Sequence, residues 1–428
     1  MKAKVGENNK KGGGKQMRKS LGTVILVTVI AVSVLVSGDF RAGLCAAADS
    51  KEPIKIGVLS SLSGPYAMLK PWWEPAVNMV IDKTNGSGGL LGRKVQLVMK
   101  DDQADPSLVA QRLTELKSEG VVAILGPFWG ANGKPTQQWA ATNNVPVISF
   151  ADPQTIARVN YNKYVFWTIP ASDAVTEAIY RGILSKPVKT IYNIGVDVVN
   201  PHDQYDWIWG KMKKEHPEVV NLGEVWVGGR EMEFSNIISA ALAKHPDVIN
   251  AGIAGPPWAA LVQQAQKFNL FQKTRVVGQY ILGAEVSTPF GKDYPAGIES
   301  AVWCPWWDTS NKAMQDYLQA HLKASKVYPC DKGMEFYLAA LAAVAGIKNA
   351  GSTDPDAIVK ALETVTFDSP LGPIRFHDYD HQAEVPIWWA TSEQSPKYPI
   401  ASGTKMIKYG TDLYPSKERI LALRAGKK

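Results

Sequence analysis

From Pro53 onward, short apolar runs alternate with longer stretches whose apolar positions recur every three or four residues. The runs Ile54–Leu59, Lys94–Lys100, Val121–Leu125 and Pro146–Phe150 predict strands, and Pro71–Asn85, Pro106–Glu119 and Pro135–Asn143 predict the helices between them. A second set follows Trp167-Thr168-Ile169-Pro170. It has strands at Thr190–Val196, Glu224–Val227, Asp247–Ile253 and Arg275–Tyr280, with helices at Asp173–Leu184, Gln204–Glu215, Phe234–Lys244 and Pro257–Phe268. Near-continuous apolar strands separated by helices mark parallel sheets covered on both faces. Two such sets predict an α/β fold of two doubly wound parallel-sheet lobes. Further helices are expected at Lys312–Ser325, Gly333–Lys348 and Pro355–Glu363, and the tail from Ser392, rich in Lys, Pro, Ser and Gly, reads as irregular and exposed.

The start of the chain follows another pattern. A basic stretch precedes the apolar run Leu21–Val36, and the small-residue run Ala46-Ala47-Ala48 follows it. This order describes a secretory signal peptide spanning residues 1–48 and cleaved after Ala48. The apolar run is shorter than the roughly 20 residues a membrane anchor needs. Lipid attachment at Cys45 is the alternative processing route, but Leu44 stands where a small side chain is wanted.

Export changes the charge reading. Of 47 Lys/Arg and 40 Asp/Glu, eight and two lie in residues 1–48, so the remainder carries 39 and 38. The basic pI therefore belongs largely to the leader, and no cationic field remains to attract nucleic acid. The two cysteines left, Cys304 and Cys330, read in an oxidising compartment as a disulfide, with free buried thiols as the alternative.

Catalytic and cofactor signatures are absent from the sequence. The glycines of NGSGGLLGRK (Gly86 to Gly92) follow a helix and precede a strand, the reverse of a phosphate loop, and read as a helix stop and turn. No G-x-S-x-G or H-E-x-x-H occurs, and His377-Asp378-Tyr379-Asp380-His381 reads as a turn rather than a metal site. No cofactor or metal is expected. Of the 14 tryptophans, Trp72-Trp73, Trp306-Trp307 and Trp388-Trp389 are adjacent pairs. Neighbours in a strand face opposite sides, so such a pair can send at most one ring into a pocket. An aromatic-lined cleft between the lobes is the expectation that the remaining rings leave open.

Several segments in order, IKIGVLSSLSGPYA, NGSGGLLGRKVQLVMKDDQADPSLVAQ, VVAILGP and NNVPVISF, together resemble the extracytoplasmic solute-binding proteins of the branched-chain amino acid transporter family. The likeness runs from about Ile54 to about Trp389. It implies a type I periplasmic-binding fold with a three-segment hinge, lobe 1 formed by 53–170 and 300–377, and lobe 2 by 171–299 and 378–428. It also implies a monomer that closes over a small solute in the periplasm and delivers it to an inner-membrane ABC permease. A periplasmic sensor presenting the solute to a membrane receptor, and a periplasmic hydrolase, are the competing functions.

Carried over residue by residue, the resemblance points to a site at Tyr66, at Trp129, Gly130, Ala131 and Asn132, at Ala151 and Asp152, and at Tyr205 and Tyr280. Trp129 to Asn132 stand where the family has hydroxyl side chains, and Tyr280 stands near the position of the acid that meets a ligand ammonium. Asp152 either takes that acid's part or, with Pro153 after it, caps a helix. In the second case an aromatic or aliphatic carboxylate suits the cleft better than an amino acid.

Overall fold

The computed structural model describes residues 52–151 and 158–426. The leader 1–48 and Asp152 lie outside the described residues. Only helices of eight or more residues carry numbers.

The first sheet has five parallel strands: β1 (Ile54–Ser60), β2 (Val95–Asp101), β3 (Val121–Leu125), β4 (Val147–Ser149) and β5 (Val165–Trp167), in the order β2-β1-β3-β4-β5. Its crossover helices are α1 (Lys70–Gly86), α2 (Val109–Ser118) and α3 (Gly133–Asn143). The turn after α1 takes positive φ at Gly88, Gly89 and Gly92, and a Cβ on Gly89 would lie 1.9 Å from the Arg93 carbonyl oxygen. Glycine is there for a helix stop and turn.

The second lobe starts with α4 (Ser172–Leu184) and continues through β6 (Thr190–Val196), α5 (Val199–Glu215), β7 (Val220–Val227), α6 (Ser235–Leu242), β8 (Val248–Gly252), α7 (Gly255–Phe268), β9 (Arg275–Gln279) and β10 (Ile298–Val302). The chain then returns to the first lobe as α8 (Lys312–Ser325), α9 (Asp331–Ala350) and α10 (Pro355–Leu362), with α8 and α9 packed on α1. After the hairpin β11 (Thr366–Ser369) and β12 (Gly372–Arg375) it crosses back to the second sheet. There β13 (Ile387–Glu393) and β14 (Ser402–Tyr409) complete the order β14-β13-β10-β9-β8-β6-β7.

Two expectations are corrected here. The tail is not irregular: β14 pairs antiparallel with β13, and α11 (Lys417–Arg424) begins at Ser416, whose side chain accepts the Arg419 amide. Two of the lysines that suggested a loop, Lys405 and Lys408, are exposed positions of β14, which is an edge strand. The 299/300 lobe boundary falls inside β10, whose Glu299 and Ser300 pair with β9 on one side and β13 on the other. The crossing segment therefore begins only after Val302.

The core explains the tryptophans. Trp72, Trp73, Trp306, Trp307, Trp388 and Trp389 are all buried. Trp73 of α1 stacks on Phe336 of α9 at 4.8 Å, and Phe150, after β4, meets the same ring at 4.2 Å. These rings tie the returning helix to the first sheet, so the first turn of α9 is held at the carboxyl ends of the strands.

Candidate functional site between the strand ends

In open parallel sheets, ligands bind beyond the carboxyl ends of the strands, where the chain order reverses. In the first lobe that edge carries the Ser-Leu-Ser-Gly-Pro turn after β1. Asp101, at the end of β2, accepts the Leu62 amide at 2.9 Å and the Ser63 hydroxyl at 2.5 Å. Burial pushes its carboxyl up, but those hydrogen bonds outweigh burial and hold it below the usual range. Asp102, fully buried, accepts the Ser61 hydroxyl at 2.7 Å and the Asn132 side-chain amide at 2.9 Å. The two aspartates thus fix the turn so that Tyr66 stands beside the segment following β3.

That segment is brought in by Gly126. Its φ is +107°, and a Cβ there would lie 2.0 Å from the Leu59 carbonyl oxygen. Only glycine lets the backbone pass so close to β1. Phe128 and Trp129 follow at once. Tyr66 lies 4.6 Å from the Trp129 ring and 5.5 Å from the Phe128 ring, and burial pushes its hydroxyl up to about 12.

The second lobe contributes Tyr280, directly after β9, with a φ of +57°. A bulky side chain in the left-handed region marks a position the surroundings impose. The Tyr280 ring meets Trp303 edge-on at 5.0 Å. Between the two lobes sits Lys332, in the first turn of α9. Its ammonium lies 5.0 Å from the Phe128 ring centre and 4.4 Å from that of Tyr280. It donates to the Tyr280 hydroxyl at 3.2 Å and to both Glu335 oxygens at 3.0 Å.

Carboxyl groups crowd this floor. Glu335 also accepts from the Trp303 indole at 3.2 Å, and Asp331 accepts the backbone amides of Trp303 and Cys304 at 3.0 and 2.6 Å. Burial, and for Asp331 also the charge of Glu285, pushes Asp331 and Glu335 up to about 7, and burial raises Glu285 as well.

The sequence-derived positions separate into groups. Tyr66, Trp129 and Tyr280 join one aromatic cluster through Phe128 and Lys332. Gly130 and Ala131 are exposed at the turn leading into α3, while Asn132 is buried and spent on Asp102. Ala151 is buried, its amide donating to Ser149, with its methyl facing Gly133. Tyr205 lies apart from that cluster, on α5, edge-on to Trp226 at 5.7 Å, with its hydroxyl bonded to the Asn221 amide of β7. It packs helix to strand inside the second lobe, and the helix begins at Val199, five residues before the predicted start.

The disulfide is also corrected, since Cys304 and Cys330 are both free and buried. Burial raises both thiols well above their usual range, so neither is reactive. The 377–381 stretch is a turn whose side chains are engaged: His377 with Asp380 and Glu384, His381 with Glu363. Lys332, Glu335, Phe128 and Trp303 were missed by sequence reasoning. Phe128 alone had a local signal, being next to Trp129. Lys332 reaches the site from a segment more than 200 residues away in the chain.

Two α/β lobes, three crossing segments and a cluster of aromatic rings at facing strand ends define a hinged two-lobe binder of small molecules. The family profile described as "Periplasmic binding protein" matches residues 53–396, and the chain belongs to that family. The leucine-, isoleucine-, valine-, threonine- and alanine-binding protein of Pseudomonas aeruginosa is 24% identical over 347 residues, 79% of this chain and 89% of the relative. The Leu/Ile/Val-binding protein of Escherichia coli is 23% identical over 76% of this chain and 87% of its own.

Among solved structures, a solute-binding protein of an ABC transporter from Rhodopseudomonas palustris BisB5, in complex with 3,4-dihydroxybenzoic acid, has a TM-score of 0.75 at 17% identity, covering 84% of this chain and 98% of its own. The closed form of the Brucella ovis leucine-, isoleucine-, valine-, threonine- and alanine-binding protein has a TM-score of 0.73 at 18% identity, covering 85% and 97%. Membership places the chain in an extracytoplasmic family of solute-binding proteins. Among the described residues no helix is long and apolar enough to cross a membrane.

Proposed function

We propose that the protein, exported by cleavage after Ala48, works as a periplasmic monomer that traps a small carboxylate between its lobes and presents it to an inner-membrane permease. The observation that carries this reading is the meeting of Tyr66, Phe128 and Trp129 with Tyr280 across one half-buried ammonium. Flat aromatic faces supply large rigid contact area for an apolar body, and a cation fixes its acid group. Names of relatives support two classes of solute: branched-chain amino acids for the curated proteins, and benzoate-type acids for several solved structures.

Closure follows from differential affinity. A solute touching Phe128 on one lobe and Tyr280 on the other binds the closed state better and shifts the population towards it. A thermal-shift screen of branched-chain amino acids, benzoates and short aliphatic acids tests the reading, followed by X-ray scattering on any hit. The expected result is a stabilising acid that also reduces the radius of gyration. A stabilising solute that leaves the radius unchanged would count against closure.

A further inference from the structure

Among the described residues, the floor of the cleft holds one cation and three carboxyl groups, and they lie at different depths. The Lys332 side chain keeps 13% of its surface exposed, whereas Glu335 beneath it keeps none. Asp331 is buried and turned towards the Trp303 and Cys304 amides. Glu285 has one side-chain oxygen buried without a partner. The group presented between the Phe128 and Tyr280 rings is therefore the ammonium, with the acids behind it. We propose that Lys332 is the specificity-determining residue of the cleft: it receives the carboxylate of an amine-free aromatic acid, and Glu335 releases it by taking up a proton.

This rests on the carboxylate-binding reading above and adds the anchor, the ligand class and the coupled proton. A ligand ammonium would meet Lys332 first, and like charges in a desolvated site repel. An aromatic acid avoids that cost and places its ring against faces already aligned with the cation.

Two ionised carboxylates cannot share one partly buried ammonium without a penalty. One proton from solvent resolves it. The incoming carboxylate takes the Lys332 hydrogen bonds, and Glu335, protonated, remains neutral under the Trp303 indole. That exchange is inexpensive near neutrality because burial has already pushed Glu335 up to about 7. The other groups around Glu335 are Asp331, also pushed up to about 7, Glu285, the Tyr280 hydroxyl, and the Cys304 and Cys330 thiols, which burial keeps protonated.

The test is titration calorimetry of the wild-type protein with benzoate, 4-hydroxybenzoate and the neutral isostere benzamide at pH 6, 7 and 8, in buffers of different ionisation enthalpy. Affinity for the acids should fall about tenfold from pH 6 to pH 8, with net proton uptake, while benzamide shows neither effect. In K332M the preference for benzoate over benzamide should collapse by about a hundredfold. In E335Q the pH slope and proton uptake should vanish. A flat wild-type profile, or a slope that survives in E335Q, overturns the exchange and needs no folded K332M to do so. Unchanged acid preference in K332M overturns the anchor and leaves the carboxylate reading standing. A wild-type protein that binds leucine and none of the acids overturns both.

Discussion

Arg158 and Lys332 are both cations held where the chain crosses between lobes, yet their surroundings differ. Arg158 is fully buried and reaches Asp173 and Asp380 at 2.8 Å each, with His377 supporting Asp380 at 3.0 Å. Burial pushes Asp380 up, but the His377 hydrogen bond and the Arg158 charge outweigh it and hold it below its usual range. Around Lys332 the carboxyls outnumber the cation, and burial wins. In the Arg158 cluster two carboxylates share one guanidinium, burial raising Asp173 while Asp380 is held down, and the cluster joins the first lobe to the start of α4 and the third crossing segment. The Lys332 cluster is short of positive charge on its buried side, where Glu335 and Asp331 lie behind the ammonium. Both networks set more than one carboxyl around a single cation; what differs is access, since Arg158 is sealed from solvent while Lys332 keeps part of its side chain exposed.

The largest expected contrast is in stability. Removing the cation in Arg158→Met strands Asp380 and Asp173 and should cost about 3–5 kcal/mol in urea denaturation. Lys332→Met should cost no more than about 1 kcal/mol at pH 6, because Glu335 can take a proton there. Equal losses from the two variants would erase the distinction.

Dependence on pH should separate the clusters next. Glu335 and Asp331 bind protons more tightly folded than unfolded, so their contribution is complete below the unfolded carboxyl range and is lost as pH rises through about 7. Asp380 acts in the opposite sense, stabilising above its unfolded value and losing that effect only in stronger acid. Unfolding free energy measured at pH 5, 6.5 and 8 should therefore decline with rising pH, by at most roughly 1.4 kcal/mol per pH step of one for each extra proton the folded state holds. E335Q should flatten the decline, and a rise towards pH 8 would contradict the assignment.

A smaller effect is expected where the C-terminal helix meets the Arg158 cluster. Arg424 donates to the carbonyls of Arg158 and Tyr379 and lies 4.7 Å over the Tyr161 ring, while Lys417 pairs with Asp378 at 3.0 Å. Arg424→Ala should lower stability by about 1–2 kcal/mol in the same denaturation assay. Least of all, a reductant should leave the thermal midpoint unchanged, since Cys304 and Cys330 are free. A marked drop would mean that the thiols pair in the exported protein.

Much of the fold was legible because apolar periodicity is a local property. Thr190–Val196, Val121–Leu125 and Lys312–Ser325 lie where the spacing puts them, and helix ends follow caps such as Asn311, which accepts the Met314 amide, and Asp354, which accepts that of Ala357. β5, β10 and the strands from β11 to β14 escaped notice, and two of them show why. The first is only three residues long, and the second is separated from its neighbours by loop rather than by an amphipathic helix.

Local pattern alone determined the alternation of strands and helices, the two-lobe architecture and the aromatic residues at the end of the first lobe's strands. Tertiary structure decided which of those residues meet. Lys332 and Tyr280 come together only because α9 returns to the first sheet on the Trp73–Phe336 contact and β9 ends opposite it. Tyr205 packs between α5 and the next strand, β7, with its hydroxyl bonded to the Asn221 amide. Whether a charge ends up matched or exchangeable depends on partners distant in the chain, and the sequence near a residue does not name them.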